Sequence, residues 1–164
     1  MLRPVLAVLL ATALLAASAP GVQSAARERT GGQLAAEADR LETAVADLRE
    51  RESATTGSPG ARRIVTVDLP ARSRTAAGVD VLAIGGIPDG SASSNRTGVD
   101  LAWRVAEGAT ATRRLPEIRI AWLRDGDLVA EPLVLESPGE HRLALTLLER
   151  DDRPVVGVRR LPEV

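Results

Sequence analysis

The chain contains no cysteine, lysine, phenylalanine or tyrosine. Without cysteine there are no disulfides, no thiol nucleophile, no iron–sulfur cluster and no cysteine-ligated zinc. The core alone must hold the fold. Without lysine, Schiff-base chemistry and a phosphate-loop lysine are excluded, and all 21 basic residues are arginine. Two tryptophans, Trp103 and Trp122, are the only aromatic side chains besides one histidine. The core must therefore be built from Val, Leu, Ile and Ala, with the tryptophans as its only large plates. An excess of either charge sign is also missing: 21 basic residues stand against 22 acidic ones, a net charge of -1. No basic field points to nucleic acid. The arginine pairs at 62–63, 113–114 and 159–160 read as solvated strand edges.

A long apolar run is present. Val5 to Ala19 is uncharged and apolar, and the only charged side chain before Arg27 is Arg3. The run matches the apolar region of a secretory signal and falls short of the roughly 20 residues that span a bilayer. Ala17-Ser18-Ala19 has the small-x-small spacing of a cleavage site, but Pro20 follows it; Val22-Gln23-Ser24 and Ser24-Ala25-Ala26 offer later ones. A retained transmembrane anchor stands beside this reading, because residues 4–26 carry no charge and a helix in lipid tolerates a kink at Pro20-Gly21. Residues 1–26 are thus expected to be a signal peptide or membrane anchor, and the protein exported: anchored facing outside, or secreted.

From Arg27 to Ser53 the period becomes helical. Leu34, Ala38, Leu41, Val45 and Leu48 are spaced four, three, four and three apart, and charged residues cover the other faces. Asp47 and Arg51 are placed to pair at one helical turn. The stripe Leu34, Leu41, Val45, Leu48 is the candidate interaction surface, against a sheet of the same chain or a second helix. Ser53 to Gly60 is a cluster of helix breakers.

Beyond it the period drops to two. Strands are expected at Arg62–Leu69, Gly78–Gly86, Val99–Val105, Ile118–Trp122, Leu128–Val129, Pro132–Leu135, Leu143–Leu147 and Val155–Val158. Asp125-Gly126 predicts a two-residue hairpin turn, Arg150 to Arg153 a second polar turn, and Ile87–Gly98 a loop. Both tryptophans fall on the apolar side of their strands, which predicts that both are core. Asp100 falls on the polar side. The expected fold is α+β: a long N-terminal helix, apolar then amphipathic (27–53), followed by an antiparallel sheet or small β-sandwich head (61–164).

Chemistry is hard to find in this chain. His141 would have to serve any serine triad, yet no Gly-x-Ser-x-Gly elbow exists, and its place after Pro138-Gly139-Glu140 predicts a surface histidine at the start of a strand. Asp125-Gly126-Asp127 lacks the remaining spacing of a calcium loop. No catalytic, cofactor-binding or metal-binding residue is assigned, and no small-molecule substrate is evident. Asn95-Arg96-Thr97 is a glycosylation sequon in the expected loop, so Asn95 is the candidate modification site.

An apolar helix continued by an amphipathic one and then a β-rich head resembles the layout of type IV pilins and pseudopilins. Arg62 to Ser73, Gly78 to Gly86, Gly139 to Leu147 and Arg153 to Val158 are similar to an uncharacterised family of haloarchaeal exported surface proteins. That resemblance implies partners among pilus or secretion components, or copies of the chain itself. Residues 4–26 would contact membrane if uncleaved. The function expected is that of a non-enzymatic, extracytoplasmic, membrane-tethered protein, pilin-like or accessory to a pilus, acting by protein–protein contact. The alternative is a signal-cleaved, secreted β-sandwich binding module.

Overall fold

The computed structural model describes residues 2–51, 62–88, 98–106, 108–115 and 118–162, with side chains in the helix described at 5, 7–10, 12 and 21–51. One helix, α1, covers Leu2–Arg51. Its packed part is rich in Ala, Leu, Glu and Arg, which lose little side-chain freedom in a helix. The breaker cluster at 53–60 lies outside the described residues.

Among the described residues nine strands follow: β1 (Arg62–Leu69), β2 (Val79–Ile84), β3 (Leu101–Val105), β4 (Thr110–Arg113), β5 (Arg119–Arg124), β6 (Asp127–Val129), β7 (Leu133–Leu135), β8 (Gly139–Arg150) and β9 (Arg153–Arg160). They form two sheets, ordered β1-β8-β9-β5-β6 and β4-β3-β2-β7. The β5–β6 turn uses Asp125 and Gly126, and the β8–β9 turn Asp151 and Asp152, all at positive φ. That is the backbone a tight two-residue hairpin requires.

The head is mixed, which corrects the antiparallel expectation. β9 pairs antiparallel with β8 and parallel with β5. The direction of β9 is set by its tight hairpin with β8, while its other neighbour, β5, is already held by its own hairpin to β6. β4 was not among the expected strands. Its sequence, Thr-Ala-Thr-Arg, carries no apolar alternation, and only pairing with β3 makes it a strand.

α1 lies along one open side of the head, touching β1 and β8 of the larger sheet and β3 of the smaller. Leu34, Ala38, Leu41, Val45 and Leu48 are buried in the same core as Val67, Leu82, Ile84, Leu101, Leu145 and Val156. Charges at the rim hold the helix to both sheets. Arg63 of β1 pairs with Asp47 at 2.9 Å, and Arg113 of β4 pairs with Asp39 and, at 3.5 Å, with Glu42. Arg51 and Asp47 pair along the helix at 3.6 Å. Further up, buried Thr30 accepts a hydrogen bond from Ala77 N–H through Oγ1 at 3.0 Å. The partly exposed ion pairs each contribute little to stability; the buried stripe does most of the holding.

The transmembrane expectation is corrected. Among the described residues no helix is long and apolar enough to cross a membrane. The apolar run stops at Pro20-Gly21, and Gln23, Ser24 and the charges at 27–29 follow. The expectation that both tryptophans are core is corrected in part. Trp103 is 8% exposed and inside the core, whereas Trp122 packs only partly against it. One ring face of Trp122 carries the Arg124 guanidinium, 5.4 Å from the ring centroid. β5 is flanked by the three-residue β6, which is too short to cover a tryptophan fully.

Candidate functional site

The expected interaction stripe is brought together with the head rather than presented to solvent. Leu34, Leu41, Val45 and Leu48 are all buried by it. The stripe therefore offers no exposed surface to a partner. Asn95 lies outside the described residues.

Two polar residues are buried where the sequence pattern placed them at the surface. Asp100 stands just before β3 and joins both sheets. Its backbone carbonyl accepts from Gly85 N–H at 2.7 Å, and its own N–H donates to the Arg113 carbonyl at 3.0 Å. Its carboxylate accepts from Leu115 N–H at 2.9 Å and Ile120 N–H at 3.4 Å. Gly85 sits at φ 89, and a Cβ there would come within 3.3 Å of Ala121 Cα and Ile120 O. With its positive φ and backbone atoms of the other sheet this close, a side chain here would be strained. Burial pushes the Asp100 carboxyl up from the ordinary carboxylate value, against the opposing effect of its two backbone hydrogen bonds and of Arg119 and Arg114.

The folded protein therefore binds a proton at Asp100 more readily than the unfolded chain does. Its contribution to stability is fully present below the unfolded carboxylate value, about 3.9, and is lost as pH rises through the raised folded value. An asparagine would turn an NH2 group toward one of the two N–H donors. Asp100→Asn should cost about 1–3 kcal/mol, and the loss relative to the parent should grow as pH falls through the raised value. Urea unfolding of both proteins across that range is the check; a pH-independent difference would remove the titration from the account.

His141 corrects the surface expectation. Its position in β8 has the parity of Leu143, Leu145 and Leu147, so its ring turns inward and is 2% exposed. Nε2 donates to the Ser137 carbonyl at 2.7 Å, which fixes the tautomer, while Nδ1 is buried without a hydrogen-bond partner among the described residues. The ring serves the turn before β8. No described serine or threonine hydroxyl is among its hydrogen-bond partners.

Among the described residues no three His, Asp or Glu side chains gather closely enough to hold a metal ion. A groove of about 680 Å³ lies at one corner of the larger sheet. The β8–β9 hairpin projects past the start of β5, because Arg119 is paired opposite Val155 and leaves Arg153 and Pro154 beyond it. Ala121, Leu128, Ala130 and Val155 give the groove an apolar lining, and Arg119, Arg150, Arg153 and Asp151 stand around it. The arginine character continues across the outward face of the sheet. Arg159 is paired opposite Ala144 and Arg62 opposite Thr146. Those two small residues are buried although they face outward; arginine stems cover small neighbours in this way. Gly157 keeps the face flat, since a Cβ there would meet Leu148 Cδ1 at 3.1 Å and Leu123 Cβ at 3.2 Å.

Sequence reasoning missed this corner. Its residues come from β5, β6 and the β8–β9 turn, and only the parallel β5–β9 pairing brings them together. The polar turn Arg150 to Arg153 was visible, but nothing local linked it to Arg119.

Compared with known proteins, the chain belongs to a family described as a domain of unknown function (DUF7311), whose model matches residues 1–161. No curated protein and no solved structure matches it.

Proposed function

We infer that this family member is an exported, non-enzymatic protein that works outside the cytoplasm by protein–protein contact, as a pilin-like or pilus- or secretion-accessory component. The observation that carries the reading is the division of α1. From Thr30 onward its apolar stripe is buried by the head. Before that point Val5, Val8 and Leu10 stand 57%, 66% and 64% exposed, with Leu9 and Val22 exposed as well. A row of bare aliphatic side chains in one element marks an interaction surface. The cover assigned to this row is protein: other subunits or the export apparatus. The order of elements, a long helix and then a β-rich head, supports the same reading.

A second reading, a signal-cleaved β-sandwich binding module, is favoured by one observation. Every residue from Gly21 to Arg29 is exposed or half-buried, so cleavage after Ser24 or Ala26 would take none of these residues from the core. Intact mass and N-terminal sequencing of the fractionated native protein test both. We expect it outside the cytoplasm. A chain keeping the apolar segment supports the accessory component, and one starting near Ala25 or Arg27 supports the secreted module. Recovery in the cytosolic fraction would overturn both. In the retained form, Leu9→Asp with Leu10→Asp should abolish association with larger complexes while head melting stays within about 0.5 kcal/mol, the usual range for exposed positions.

A further inference from the structure

We propose that the arginine-rimmed groove at the β5–β6–β9 corner is a docking site for an acidic, extended segment of a partner protein. This deepens the protein-contact reading by naming the surface and the chemistry of what it binds.

The charge comes first. Three guanidinium groups and one carboxylate, Asp151, stand around the groove. Arg150 and Arg153 make no ion pair with any described residue. They lie directly opposite each other at the end of the β8–β9 ladder, so two like charges are held side by side. Such a cross-strand pair is destabilising by itself. A carboxylate seated between them would relieve that repulsion and accept from both planar forks, which suit carboxylate geometry.

The lining decides between kinds of anion. A small inorganic anion is best held in a closed nest of N–H groups. This groove is open, and Ala121, Leu128 and Val155 line it with hydrocarbon. It suits a ligand that alternates carboxylate with aliphatic side chains. The neighbouring edge suits an extended chain too. β6 is the terminal strand of its sheet, so its outer backbone groups face away from β5 and can pair with an added strand. Two arginines above an apolar lining beside an open strand edge describe a site for acidic β-addition. Further along the same face, Arg159 and Arg62 extend the positive track for a longer segment.

The probe is a blocked hexapeptide alternating glutamate and leucine, titrated into the full chain and followed by amide NMR shifts. We expect saturable shifts centred on Ala121, Leu128 and Val155, weakening as salt is raised. Arg150→Gln with Arg153→Gln, both on an exposed turn, should weaken binding about tenfold, the effect of two partly exposed ion pairs. Asp151→Asn should tighten it by about two- to threefold, because a like charge leaves the rim. Parallel arms use inorganic phosphate, a single-stranded oligonucleotide and an alternating lysine–leucine hexapeptide. Preference for phosphate or oligonucleotide, binding of the basic peptide, or acidic-peptide binding indifferent to the double arginine variant would each overturn the proposal. None of these results depends on where the protein resides, so failure here and failure of the exported reading are separately visible.

Discussion

Leu41→Asp should unfold the head, not merely release the helix. Leu41 is 2% exposed at the middle of the buried stripe. It belongs to one core with residues of both sheets, and its helix touches β1, β8 and β3. The substitution removes a fully buried leucine, worth about 2–5 kcal/mol as a truncation. It also places a carboxylate among aliphatic side chains, where burying an unpaired charge costs more again. The total is comparable to the about 5–15 kcal/mol that holds a typical domain. Leu41→Ala separates the two contributions, and we expect it to fold with reduced urea resistance. Hydrogen exchange followed by NMR gives the test of mechanism. If the stripe is part of one cooperative core, β8 and β9 amides lose protection together with helix amides at 34–48. Protection retained in β8 and β9 while the helix exchanges freely would show that the helix is only an appendage.

Trp103→Ala should cost about 3–5 kcal/mol, the range for truncating a buried large aromatic side chain. Trp103 lies in β3, paired opposite Leu82 of β2, within the shared core. The chain has no phenylalanine or tyrosine that could move in to fill the space. Trp122→Ala should cost less, because its ring is only half-buried and one face carries Arg124. Fluorescence separates the two residues. With Trp122 replaced by Phe, the remaining Trp103 emission should be blue-shifted and poorly quenched by acrylamide. With Trp103 replaced by Leu, the remaining Trp122 emission should lie to the red and be quenched more readily. Equal quenching of the two would contradict their different burial.

Much of the secondary structure was legible in the chain because it is locally encoded. The four-three spacing of Leu34, Ala38, Leu41, Val45 and Leu48 writes a helix with one buried face whatever it packs against. The alternation around Leu101-Ala102-Trp103, and the Asp125-Gly126 turn, likewise need no distant partner. The candidate groove was not legible. Its arginines stand at 119, 150 and 153, and no periodicity links them.

The sequence alone therefore determined a helix-then-strands order, a core of aliphatic side chains with no disulfide, and the exclusion of thiol and lysine chemistry. Tertiary structure decided the rest. It split the strands between two sheets, set β9 parallel to β5, and made Thr110–Arg113 a strand by pairing. It also buried Asp100 and His141, which local pattern assigns to the surface. The physical reason is the range of the information. Alternation states which side chains must leave water, but not which neighbour removes them from it. A polar group can be buried wherever distant backbone supplies its hydrogen bonds, as Leu115 and Ile120 do for Asp100 and Ser137 does for His141.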